Sequence, residues 1–168
     1  MKLQPRSKAV ITGLALVLLF ASLSFKCDGG GNNNNNGTPN PDKQFRSAAR
    51  AADDVASGIS KMIDLKRQLA KDKKISPAEE SALTDLLLKV NTADKLFVTQ
   101  IKAMKNAPDA SGKANLAALF SQVTSALNEL NSKGLLPLGD AGAKGQLAKV
   151  LAAATAAAQI VEAFLNKP

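Results

Sequence analysis

SPAEESALTDLLLKVNTADKLFVTQIKAMK, running from Ser76 to Lys105, is the stretch whose reading decides the fold. It opens with a helix start written in local chemistry. Ser76 can accept from exposed amides of the first turn, Pro77 has its φ preset for that turn, and Glu79 can reach back to the amide of Ser76. Behind this start, Leu83, Leu86, Leu87, Val90, Phe97, Ile101 and Met104 recur at steps of three, four and seven, which puts them on one face at 100° per residue. The spacing predicts a helix over 77–105, closed by Asn106-Ala107-Pro108-Asp109.

The same periodicity extends in both directions. Upstream, Phe45, Ala48, Ala52, Val55, Ala56, Ile59, Met62, Ile63 and Ala70 share a broad face, with Arg46, Arg50, Asp53, Asp54, Asp64 and Arg67 largely outside it. This predicts a first helix over about 43–72. Downstream, Leu116, Leu119, Phe120, Val123, Leu127 and Leu130 predict a third helix over about 111–132, with Gly134 as its C-terminal cap. Leu135-Leu136-Pro137-Leu138-Gly139 is too apolar for a solvated loop and is expected to fold back over one end of the core. Asp140 is expected to cap a fourth helix over 141–166, whose face carries Leu147, Val150, Leu151, Ala154, Ala158, Val161 and Leu165. Ala152, Ala153, Ala156 and Ala157 leave its other sides nearly smooth and favour a close approach to a neighbour.

No strand alternation competes with these four segments. The 126 residues from Lys43 to Pro168 suffice for one domain with a single core. Helices of this length on short turns predict an all-α, antiparallel up-down-up-down four-helix bundle, roughly 40 Å long at 1.5 Å per residue. The uncharged run between Lys149 and Glu162 has 12 residues, too few to span a bilayer, and reads as a buried core helix.

The residues before the bundle carry a different signal. Met1, Lys2, Arg6 and Lys8 precede an uncharged run of 17 residues from Ala9 to Phe25, then Lys26 and Cys27, the single cysteine of the chain. A basic start, an apolar middle and small residues near its end make 1–26 a secretory signal peptide, and the charge asymmetry directs the rest of the chain outward. Residues 28–42 contain no apolar side chain. Starting at Cys27, this Gly/Asn-rich segment is expected to be a disordered tether over 27–42, about 20 Å in mean reach from a random-coil estimate.

A lone cysteine closing such a segment resembles the bacterial lipoprotein precursors, in which the cysteine is acylated and becomes the mature N-terminus. The resemblance covers residues 1–27. It implies lipidation of Cys27 and membrane attachment through that lipid. In that class a leucine and small residues lead directly into the cysteine, whereas the order here is Leu23-Ser24-Phe25-Lys26-Cys27. Two other readings stay open: cleavage after Ser24, leaving Cys27 a free thiol, and an uncleaved segment just long enough to span the membrane.

Charge and inventory bound the function. Setting aside Lys2, Arg6, Lys8 and Lys26 leaves 18 basic against 14 acidic residues, a net charge of +4 instead of +8. Lys71, Lys73 and Lys74 form the one compact basic cluster, with no aromatic near it, so no nucleic-acid partner is expected. The chain has no His, Tyr or Trp. That removes imidazole and thiolate chemistry from the bundle, so neither catalytic residues, cofactor nor metal is expected. One polar position stands out: Asp94 lies within about 20° of Leu83, inside the apolar face of the second helix. A carboxylate there must be paired, protonated or exposed where the bundle opens. The sequence thus predicts an exported, lipid-anchored, non-enzymatic envelope protein, a tethered helical module that binds an envelope protein or polymer. A carrier of small apolar ligands or lipids in a cavity between helices is the alternative.

Overall fold

The computed structural model describes residues 40–104 and 106–167; Cys27, the expected signal peptide over 1–26 and all but the last three residues of the expected tether lie outside them. Four α-helices follow one another: α1 over Pro41–Lys71, α2 over Pro77–Ala103, α3 over Ala110–Glu129 and α4 over Ala141–Leu165. Among the described residues there is no strand. The protein is an all-α four-helix bundle.

Each helix begins on a side-chain cap. Asn40 accepts from the Asp42 amide at 2.9 Å, Asp109 from Gly112 at 2.7 Å and Asp140 from Ala143 at 2.7 Å. At Ser76 the capping box forms in full: Glu79 N–H donates to Ser76 Oγ at 3.3 Å, and Ser76 N–H donates to Glu79 Oε2 at 2.7 Å. The cap on Asn40 corrects the expected tether boundary. Asn40 satisfies an exposed amide and Pro41 has a helix-ready φ, so the first turn starts inside the polar segment.

Pairs across the helices show that sequence neighbours run antiparallel. Lys102, near the end of α2, pairs with Asp53 of α1 at 2.6 Å, while Lys66, near the end of α1, donates to Thr84 of α2 at 2.8 Å. Lys89 of α2 pairs with Glu129 at the end of α3. Phe45 of α1 packs on Phe164 of α4 with ring centroids 5.9 Å apart, and Phe97 of α2 packs on Phe120 of α3 at 4.9 Å. The core runs along the axis through Val55, Ile59, Met62, Leu83, Val90, Phe97, Ile101, Leu116, Val123, Leu147 and Val161, all buried.

α1 lies most closely on α4. At their crossing a Cβ built on Gly58 would fall 2.9 Å from Ala154 Cβ, so the glycine and the alanine set the approach of the two backbones. α4 is long and apolar enough to cross a membrane by length and composition. In the bundle one face of it, with Leu147, Leu151, Ala154, Ala157, Ala158, Val161 and Phe164, lies in the core, but only 33 % of its most apolar stretch is buried, so it is a one-sided helix and not the wholly buried one expected. Ala157, expected on the smooth outer side, is buried, whereas Val150 and Leu165 are only partly covered.

Two helix ends differ from expectation. α3 does not stop at 132 on a glycine cap; it passes at Leu130–Leu135 into a π-helical turn, with Leu136 N–H donating to Asn131 O at 3.1 Å. Gly134 lies inside this turn, and no described glycine has a positive φ. Its role is steric: a Cβ there would sit 3.0 Å from Leu130 and 3.1 Å from Leu83 and Leu86 of α2. The wider turn carries Leu135 into the core, and Leu138 follows it, so the connection does fold over that end of the bundle. The left-handed cap occurs at the end of α1, on Lys73 at φ 55°. Lys74 N–H donates to Leu69 O at 2.8 Å and Lys73 N–H to Ala70 O at 3.0 Å, closing a Schellman motif on a residue that is not glycine. α2 ends at Ala103, two residues before the expected Lys105, because Met104 turns extended.

Candidate functional site

α2 positions the features that set this bundle apart from a plain apolar core. On its inner side Val90, Asp94, Phe97 and Ile101 succeed one another at steps of three and four, so the periodicity that buries the hydrophobic residues buries the carboxyl with them. Asp94 is 3 % exposed. Its Oδ1 has no hydrogen-bond partner. Burial pushes its pKa up to about 6; the negative charge of Asp53 adds to the rise and Lys102 partly opposes it. Asp94 is thus a buried carboxyl, not an exposed one at an opening in the bundle.

The other buried charge among the described residues is Lys66. It follows Ile59 and Met62 on the inner stripe of α1, a spacing from which its burial was legible, although sequence reasoning missed it. Its ammonium is satisfied by Thr84 Oγ1 and by Glu80 at 3.6 Å, both on α2. Thr84 in turn donates to Glu80 O at 2.7 Å. Lys66 is therefore a tied structural cation, in contrast to Asp94.

Between the outer sides of α2 and α3 runs an open groove of about 780 Å³, lined by Leu88, Ala93, Leu96 and Ala126 with Asp85, Lys89, Thr92 and three polar residues of α3. Leu88 is 61 % and Leu96 53 % exposed, although both belong to an otherwise well-packed helix. Sequence reasoning missed this groove as well, because a helical wheel cannot say which flank of an apolar stripe lacks a neighbour. At one end Glu129 accepts from Lys133 at 2.8 Å and from Lys89. These hydrogen bonds, the one from Lys133 the stronger influence, hold its pKa down to about 2. Asp94 is not part of the groove.

Chemically, the groove offers apolar contact rimmed by hydroxyls and an acid–base pair, whereas Asp94 offers one titratable carboxyl in the buried interior. Among the described residues no three His, Cys, Asp or Glu side chains are grouped to hold a metal ion. The chain matches no protein-family model, no curated protein and no solved structure.

Proposed function

We propose that the protein is an exported envelope protein, held at a membrane through a lipid on Cys27, whose bundle acts as a tethered binding or structural module without enzymatic activity. The observation that carries this reading is the order of segments. A basic and apolar header ends at a single cysteine, a stretch without apolar side chains comes next, and a compact bundle begins at Pro41. The lipoprotein resemblance of residues 1–27 supports attachment, and the α2–α3 groove with Leu88 and Leu96 supplies a surface on which a partner can bury apolar area. The second reading, a carrier of small apolar ligands or lipids, calls for a cavity between helices, and the open α2–α3 groove is its nearest counterpart among the described residues.

Intact mass of the protein recovered from the membrane fraction of its host tests the attachment. A diacylglycerol adduct on a chain beginning at Cys27 is the expected result, and a chain beginning at Phe25 refutes it. Native mass spectrometry of the same material separates the two readings of the bundle: a stoichiometric lipid lost on Leu88→Ser favours the carrier.

A further inference from the structure

Asp94 raises the question of what its carboxyl does when it loses its proton. The amides along the interior of α2 are already engaged in the helix, so an ionised carboxylate, which has only acceptors, meets no free backbone donor there. A neutral carboxyl carries one donor and can offer it to a main-chain carbonyl, as Thr84 and Thr92 of the same helix do with their hydroxyls.

The charged groups around it sharpen the difference. From α1 comes Asp53, which repels the ionised form; on α2 itself Lys102 attracts it, but Lys102 is already paired with Asp53 at 2.6 Å. The buried side chains of α3 and α4 are all apolar. Lys66, the other buried charge among the described residues, is held by Thr84, ten residues or about 15 Å along α2 from Asp94.

We propose that Asp94 is a proton-operated latch in the α1–α2 half of the bundle: protonated, it lets the core close around it, and ionised, it loosens the packing of α2 between Val90 and Ile101. The protein is then tightest at about pH 4 and loosens locally as the pH rises to about 6. The direction is set by the shift. Because the folded carboxyl, raised from 3.8 to about 6, binds its proton more tightly than the unfolded chain does, stability declines as pH rises through that window and is flat above it. A shift of that size makes the folding equilibrium constant about 100-fold smaller above the window than below it.

The test uses the full chain, with hydrogen exchange and denaturant unfolding measured from pH 4.5 to 8. In the wild type, amide protection over Val90–Ile101 is expected to fall as pH rises, and in Asp94→Asn the profile is expected to lose that step. Asp53→Asn removes the repulsion and frees Lys102, so it moves the step to lower pH; Lys102→Met moves it to higher pH. Asp53 and Lys102 are surface groups, so these variants fold even if Asp94→Asn does not. A wild-type profile the same as that of Asp94→Asn overturns the latch. So does a step that neither Asp53→Asn nor Lys102→Met displaces, or a carboxyl carbon resonance of Asp94 that titrates near 4.

Discussion

Replacing Gly58 by alanine sets two effects of opposite sign against each other. In a helix interior alanine is favoured over glycine by about 1 kcal/mol, because glycine loses more backbone freedom on folding. At Gly58 the added methyl meets Ala154 Cβ at 2.9 Å, with Ala154 Cα at 3.5 Å and its backbone nitrogen at 3.8 Å. None of those atoms is the end of a flexible side chain, so α4 itself must shift, and overpacking of this kind costs about 1–3 kcal/mol. The clash therefore prevails over the propensity, and Gly58→Ala is expected to destabilise the bundle by up to about 2 kcal/mol, a fall of several degrees in Tm. Gly145 supplies the control. It lies on the exposed side of α4 with nothing within 4 Å of a built Cβ, so Gly145→Ala keeps the propensity gain and stabilises by up to about 1 kcal/mol. Ala154→Gly should relieve the clash, giving the Gly58→Ala/Ala154→Gly pair a favourable coupling of about 1 kcal/mol or more in a double-mutant cycle. Denaturant unfolding reads all four variants. If Gly58→Ala and Gly145→Ala stabilise equally, the α1–α4 crossing is not set by Gly58 and Ala154.

Three further outcomes can be measured on the same footing. Phe97→Ala removes a fully buried ring packed on Phe120 and should cost about 3–5 kcal/mol in denaturant unfolding; a loss below about 1 kcal/mol would place the ring at a loose end of the core. Lys73→Gly relieves a left-handed backbone that costs a non-glycine residue about 1 kcal/mol, and its Tm should rise by a few degrees, whereas a fall would show that the Schellman turn is not the native end of α1. At acid pH the Asp94 trend reverses. Glu129, held down to about 2 chiefly by Lys133 and Lys89, and Glu79, held below 4.5 by the Ser76 and Gly139 amides, contribute stability that is present above 4.5 and lost as they take up protons below it. Melting temperature against pH should therefore pass through a maximum at about pH 4, where the opposing slopes balance, and Glu129→Gln should flatten its acid side.

The fold was legible wherever its cause was local. Ser76, Pro77 and Glu79 lie within four consecutive residues, and the apolar rows behind them and behind Phe45, Leu116 and Leu147 declare helix faces without reference to anything else. Ends and contacts that depend on distant residues were not. Gly134 reads as a cap in isolation, but it packs against Leu83 and Leu86 of α2 while Leu135 enters the core, and the chain meets both needs with a π-helical turn. Gly58 carries no local sign of its role, because its meaning is Ala154 on another helix. Asp94 was legible as an anomaly, since a carboxylate on an apolar wheel is visible at once. Whether it was buried depended on how closely α1 and α2 meet, which a single helix wheel does not contain.

Glu79 closes two turns with one carboxylate. One oxygen takes the Ser76 amide of the capping box, and the other takes the Gly139 amide, 60 residues further along the chain, at 2.8 Å. The hairpin of α2 and α3, with its π-helical exit, is thereby tied into a ring at its base. Closing a ring of that size carries an entropic cost that must be met before the bond contributes, so the Gly139 amide gains its carboxylate acceptor only once α3 has returned beside α2. Fraying at Ser76 that carries Glu79 away therefore also releases the Gly139 end of the Leu136–Gly139 connection.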